Sequence, residues 1–386
     1  MSSVAVVGTG FIGPVHVEAL RRLDIDVKGI LGSSPEKSRQ AAARLGLRRA
    51  YASYAELLAD DEVTVVHITS PNRYHLKQAS GALEAGKHVI CEKPLAMDTR
   101  ESGELLELSR QRPTQLAAVN YNIRFYPLLL HARELIKSGA IGEIYSVQGG
   151  YVQDWLLHDS DWNWRLEPAA GGALRAIGDI GTHWMDLLGF VTGLEVNNLL
   201  ADLGTFIKRR KKPRGSVETF SAKSAGQAVE FDLVDVETED YGTVLFHYQS
   251  GAQGVMTVSQ VSAGRKNRIF FEITGSQGAV AWDGERPNEL WLGHRDRPNE
   301  ILVKDPALLA VAAQPYANYP GGHQEGFPDT FKQLYRAFYE YLWAGDFDRP
   351  KPFPTFEDGH QEVLLSEKIL ESHRSRRWVT VEGESR

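Results

Sequence analysis

Two segments of this chain hold side chains whose types and spacing suit chemistry at a single carbon. Gly178-Asp179-Ile180-Gly181-Thr182-His183 sets an aspartate and a histidine four residues apart, and Cys91-Glu92-Lys93-Pro94 ends an apolar run with a lysine. If residues 178–186 are helical, Asp179 and His183 project from one face, so an acid and an imidazole can meet one substrate carbon. Each feature also has a plainer reading. An Asp/His pair at this spacing serves as a helix-surface pair or a core hydrogen bond, and Lys93 as a solvated lysine at a strand end. A third segment, Gly8-Thr9-Gly10-Phe11-Ile12-Gly13, has glycines at the spacing of a dinucleotide cradle. A dinucleotide there, with Lys93 at the edge where a nicotinamide would lie, points to redox chemistry.

These segments need elements to position them. Val4 to Val7 is an apolar run ending at Gly8, as in a strand buried on both faces of a parallel sheet. Val15 to Leu23 has helical spacing, with Val15, Ala19, Leu20 and Leu23 inward. Val27 to Leu31 is a second strand, followed by Ser33-Ser34-Pro35, a serine cap and an N1 proline. Val63 to Ile68 is a third, then a helix from about Tyr74 to Glu84, and His88 to Cys91 a fourth. Strands alternating with helices predict right-handed crossovers and a doubly wound parallel sheet. In that setting Gly8 permits the tight turn, Gly10 the approach of a pyrophosphate and Gly13 close helix–strand packing, with Phe11 and Ile12 between them. After the second strand the chain reads Leu31-Gly32-Ser33-Ser34, without the acid that would accept from an NAD ribose and repel the NADP phosphate. Ser33, Ser34 and Lys37 can donate to a phosphate, and serine also serves an unphosphorylated ribose, so NAD or NADP is expected, one per subunit.

Past Asn120-Tyr121-Asn122 the pattern changes, so the expected division is residues 1–125, a dinucleotide-binding domain, and 126–386, a substrate-binding and oligomerisation domain. At 386 residues, two cores are the natural expectation. A helix from Pro127 to Ser138 leads into strands joined by hairpins, Thr243–Tyr248 with Ala252–Val261 and Phe270–Thr274 with Ala279–Trp282. Strands adjacent in sequence predict an α/β domain with a large, mostly antiparallel, open-faced sheet, whose free face would join a homodimer or homotetramer. Two helices, Pro328–Ala344 and Phe356–Ser372, follow. The basic run Lys208-Arg209-Arg210-Lys211-Lys212 reads as a solvated loop.

Composition narrows the field. A net charge of −7 gives no global attraction to nucleic acid or an anionic membrane. No apolar run reaches membrane-spanning length, no secretory leader is visible, and the single cysteine, Cys91, suits a reducing compartment, so a cytoplasmic protein is expected. No cysteine or histidine cluster has metal-ligand spacing, so no metal is expected.

The glycine turn, Ser70-Pro71-Asn72-Arg73-Tyr74-His75, Glu92-Lys93-Pro94-Leu95-Ala96, Gly171-Gly172-Ala173-Leu174 and Gly178-Asp179 through His183 stand in an order and spacing that resemble the glucose-fructose oxidoreductase and inositol dehydrogenase family, Gfo/Idh/MocA. The resemblance implies a Rossmann domain and covers nearly the whole chain. It implies that Lys93, Asp179 and His183 are catalytic, and that Ser70, Pro71, Asn72, His75 and Glu92 join Lys93 around the cofactor; Asn122 is also expected to bind the cofactor. In the implied mechanism His183 is the base for a secondary hydroxyl, Lys93 stabilises the oxyanion, and Asp179 holds the lysine or substrate hydroxyls. Gly32 in place of an acid is one departure from many NAD-using relatives. Arg175 is another, a cation that contacts substrate or cofactor, or else forms a surface salt bridge.

Trp155, Trp162 and Trp164 lie among polar residues just before the catalytic pair, with at least one of them expected in the core. Gln153, Asp154, Trp164 and Arg165, with Lys93, Asp179 and His183, are the expected substrate contacts, and the segment resembles that of members acting on levoglucosan, inositols and glycosides. The expected substrate is a polyol, sugar or glycoside. Tyr319-Pro320-Gly321-Gly322-His323 reads as a glycine-hinged loop, with His323 either a substrate ligand or a loop hydrogen-bonder. Two alternatives within the same fold are a glycosidase or lyase using transient oxidation by tightly held NAD, and a ligand-sensing regulator without turnover.

Overall fold

The central strand of the first sheet, β1 (Ser3–Val7), is buried along its whole length. The computed structural model describes residues 3–214 and 230–381. After β1 come α1 (Ile12–Arg21), β2 (Asp26–Leu31), α2 (Pro35–Leu45), β3 (Arg49–Tyr51), α3 (Tyr54–Leu58), β4 (Val63–Ile68), α4 (His75–Glu84), β5 (His88–Cys91), α5 (Thr99–Arg110) and β6 (Ala117–Val119). All six strands are parallel, in the order β3-β2-β1-β4-β5-β6. Val4 and Val6 face a core with Val17 and Leu20 of α1, while Ala5 and Val7 face Leu57, Ala79, Leu83 and Leu105 on the other side. That two-sided burial is why the strand sequence does not alternate.

The second part supplies α6 (Pro127–Lys137), β7 (Ile144–Val152), α7 (Pro168–Gly171), α8 (Thr182–Thr192), β8 (Val196–Gly204), β9 (Arg209–Pro213), β10 (Phe231–Asp235), β11 (Tyr241–Tyr248), β12 (Gln253–Ser259), β13 (Arg268–Gly275), β14 (Ala279–Asp283), β15 (Glu289–Gly293), β16 (Glu300–Val303), α9 (Phe327–Ala344), α10 (Phe356–Ser375) and β17 (Val379–Thr380). Nine of its strands form one sheet, β16-β15-β14-β13-β7-β12-β11-β8-β17, in which only the β7–β12 pair is parallel. One face packs on α6, α8 and α10 through residues such as Leu128, Trp184 and Ile369. On the other face Leu200, Leu245 and Val255 stand side by side on β8, β11 and β12, and Ala281, Trp291 and Ile301 on β14, β15 and β16, with Gln148 of β7 and Glu272 of β13 between the two groups.

Helix α9 crosses back to the first sheet. Its Phe331, Leu334, Tyr335 and Phe338 fill the core against α1, and Ala118 of β6 bridges to Thr355. The layer that completes the first sheet thus comes from the far end of the chain.

Candidate functional site

The carboxyl ends of β1, β4 and β5 meet where the strand order turns outward in both directions, the place where doubly wound sheets receive ligands. The chain leaves β1 at Gly8 with φ +118°. A Cβ on Gly8 would lie 2.4 Å from Thr69 Oγ1, and one on Gly13 would lie 2.3 Å from the Gly8 carbonyl, whereas a Cβ on Gly10 would meet nothing within 4 Å. The fold itself therefore requires glycine at 8 and 13, while Gly10 borders open space. Next to it, α1 starts without a side-chain cap and without an acid in its first turn, so its positive end is uncompensated. Glycine-lined space at such a helix end fits a pyrophosphate. Gly10→Ala should keep the wild-type Tm but weaken NADH binding, read by cofactor fluorescence, about tenfold or more. Gly13→Ala should instead lower Tm; a Gly10→Ala protein that binds NADH normally would count against the cradle.

Beyond β2, Ser33 is exposed and the Ser34 hydroxyl accepts from the Lys37 amide, capping α2. Around β4 and β5 the expected cofactor residues are knit to one another. His75 contacts the Ser70 and Pro94 carbonyls, both at 2.9 Å, and the Ser70 hydroxyl donates to Gln78. The Asn72 amide, on the turn Pro71 opens, donates to the Gly171 carbonyl. Glu92 accepts from Asn120 at 2.5 Å and pairs with His16 at 3.1 Å; burial alone would raise its carboxyl, but these partners and Lys93 hold it low. The Asn122 amide is turned to Thr330 of α9 at 2.6 Å.

Asp179 gathers the rest. It lies in the turn Ile177–Gly181, where the Thr182 amide reaches back five residues to the Ile177 carbonyl, a π-helical widening that leads into α8. Lys93 Nζ donates to the Asp179 main-chain oxygen at 2.6 Å and to Oδ1 at 3.1 Å. Arg165 Nε donates to the same Oδ1 at 2.9 Å, and Gln260 Nε2 to Oδ2 at 3.0 Å. Burial would raise the carboxyl, but the charges of Arg165 and Lys93 hold it far below the usual carboxylate range. His183 follows at the start of α8, walled by the rings of Tyr121 and Tyr151 with centroids at 5.6 and 6.1 Å. Burial first, and then the Lys93 charge, pull its imidazole down to about 3. Its Nδ1 is sealed and without a partner, leaving Nε2 as the nitrogen open to a ligand. The cluster thus presents an ammonium held by an ionised acid beside a neutral base.

The expected substrate wall divides. Arg165 stacks on Trp164, 4.5 Å from its ring, and is joined to Asp179. The Gln153 amide is committed to Asn267 and Trp155, and Asp154 to Lys266 and the Gly264 amide. Trp162 is half-buried beside Leu156 and Leu166. His323 is exposed on its loop and contacts the Gly321 carbonyl. Two expectations are overturned. Arg175 is neither a ligand contact nor a surface salt bridge: it is buried and paired with Asp240, while its main-chain amide donates to Glu239. The basic run 208–212 is no solvated loop, since residues 209–213 form β9 and Arg210 is fully buried.

Gln260, Tyr121 and Tyr151 belong to the site but carry no motif; only the position of Tyr121 in Asn120-Tyr121-Asn122, where the pattern changes, marks it in sequence. Among the described residues no group of three or more His, Cys, Asp or Glu is placed to hold a metal, and no helix is long and apolar enough to cross a membrane.

Residues 2–121 match the oxidoreductase family with an NAD-binding Rossmann fold, and residues 129–281 match the GFO/IDH/MocA C-terminal domain. The chain is 29% identical to a levoglucosan dehydrogenase of Pseudarthrobacter phenanthrenivorans, over 98% of both chains. It is 25% identical to glucose-fructose oxidoreductase domain-containing protein 2 of Xenopus laevis, over 99% of this chain and 94% of the other. Among solved structures, a levoglucosan dehydrogenase in complex with NADH and L-sorbose superposes with a TM-score of 0.87 at 28% identity, covering 99% of each chain.

Proposed function

The chain belongs to the Gfo/Idh/MocA family of NAD-binding oxidoreductases, and from that premise we propose that it is an NAD(P)-dependent dehydrogenase oxidising a secondary hydroxyl of a sugar, glycoside or cyclitol. One observation carries this reading: Lys93 from the first sheet and Arg165 from the wall converge on one ionised carboxylate, Asp179, beside a neutral, buried His183. When bound, a nicotinamide would supply the hydride acceptor for the carbinol carbon. His183 Nε2 takes the hydroxyl proton, and Lys93 Nζ stabilises the oxygen as it becomes a carbonyl. Asp179 fixes the lysine, and the Arg165–Trp164 stack offers donors and an aromatic face to a sugar ring. The turn Gly8–Gly13 would hold the pyrophosphate, and Ser70, Pro71, Asn72, His75 and Glu92 would surround the nicotinamide half. The full-length likeness to a levoglucosan dehydrogenase and to its NADH complexes supports a sugar over a small keto acid. A buried sole cysteine suits a cytoplasmic enzyme.

The test is a panel of anhydrosugars, glycosides and inositols with NAD and NADP separately, following reduced-cofactor absorbance. Turnover of at least one sugar is expected. Glycosidic cleavage with retained cofactor, or binding without turnover, would overturn it.

The free face of the large sheet is the surface we assign to a homo-oligomer. Leu245 is 41% exposed and flanked by Leu200 and Val255, so a two-fold contact would bury this row against its own copy. Leu245→Glu should reduce the mass measured by light scattering while leaving the circular dichroism unchanged; an unaltered mass would exclude this face.

A further inference from the structure

We propose that strand β9, paired with β10, is a clamp that holds the substrate-binding loop 156–167 in place, with Arg210 as its positioning residue; the consequence for turnover rests on the sugar dehydrogenase reading. Arg210 is fully buried in a run of basic residues. Its guanidinium gathers three main-chain carbonyls of the wall, Leu156 at 2.9 Å, His158 at 2.9 Å and Asp161 at 3.2 Å. Its fourth bond, 2.9 Å, goes to Asp240 Oδ1. The neighbours on β9 extend the grip. Lys211 pairs with Asp159 at 2.8 Å and its amide donates to the Asp159 carbonyl, while Lys212 pairs with Glu167 at 2.6 Å and lies over the Trp162 ring. Residues 156–167 are therefore bound along their length by three consecutive cations, and this same stretch carries Trp164 and Arg165.

The clamp is also tied to the catalytic turn. Asp240 Oδ1 accepts from Arg175 as well as Arg210, and the Arg175 carbonyl accepts from the Asp179 amide at 2.7 Å. Four of the five Arg210 N–H groups are spent on wall carbonyls and Asp240, so loop and turn are joined through one shared carboxylate. Arg210 touches neither Asp179 nor Lys93 in the described contacts; it acts through the loop that delivers Arg165.

The test compares wild type with Arg210→Met and with Lys211→Met/Lys212→Met in the full chain. Amide hydrogen exchange over residues 154–167 should accelerate in both variants, with no sugar required. With a sugar from the panel, Arg210→Met should raise KM so that kcat/KM falls about 100-fold, the cost of displacing a positioning group by about 1 Å. NADH affinity should stay within twofold, and Arg210→Lys should recover part of the loss. Combining Arg210→Met with Arg165→Met should cost much less than the product of the two single losses. If Arg210→Met fails to fold, the double lysine variant decides by loop exchange and KM. Unchanged exchange in 154–167 with unchanged KM would overturn the clamp. Faster exchange in a protein that oxidises no sugar would leave the clamp standing and defeat the function assigned above.

Discussion

Lys93→Met lowers kcat/KM for sugar oxidation by about 10³-fold, or about 4 kcal/mol of transition-state stabilisation, while NADH still binds. The lysine does two things in this site. It brings a positive charge to the substrate oxygen, and it is one of the two cations that keep the buried Asp179 ionised. Removing it relaxes the carboxyl upward, and it also lifts the push that Lys93 exerts on His183, whose imidazole then rises from about 3. Burial, the larger cause, still holds the imidazole low, so the acid limb of the pH–rate profile should move to higher pH than in the parent. Lys93→Arg should not rescue, because a planar fork cannot hold both Asp179 acceptors and the substrate oxygen as a compact ammonium does. A Lys93→Met enzyme with near-parental kcat/KM would remove the lysine from the mechanism.

What the sequence discloses about this site depends on the range of the interaction. The glycine turn is legible because its causes are local: Gly8 and Gly13 are crowded by Thr69 and by each other. β1, β2, β4 and β5 are legible because burial on both faces writes an unbroken apolar run. β3 and β6 are not, since three residues at a sheet edge or beneath a distant segment make no run. Nothing in α9 marks it as the cover of the first sheet, because its partners lie some 300 residues away in sequence. Arg210 and Arg175 fail for the same reason. A charge run signals solvent by default, and only the fold brings Asp240 and the carbonyls of 156–161 to those side chains. Gln260 is a lone amide after a strand, and its contact with Asp179 has no counterpart in spacing.

His183→Gln should cost 10²- to 10⁴-fold, the range for removing a positioned general base, and the pH dependence assigns the role. A histidine depressed to about 3 is neutral and able to accept a proton throughout the assay range. In the free enzyme kcat/KM for oxidation should thus be flat from about pH 5 to 8, with no inflection near the ordinary imidazole value of about 6.5. Reduction needs the protonated ring, which is scarce above about 3, so its kcat/KM should fall about tenfold per pH unit over the same interval. The two slopes together reproduce the single proton that oxidation releases. The same depression acts on stability. The unfolded chain binds a proton near 6.5 and the folded chain only near 3, so stability is fully present above 6.5 and is lost as pH falls toward 3. His183→Gln should lessen the decline in Tm between pH 7 and 5. A wild-type inflection near 6.5 in oxidation, abolished by His183→Gln, would mean that the imidazole is solvated rather than buried beside Lys93, and the acid–base assignment would have to be redrawn.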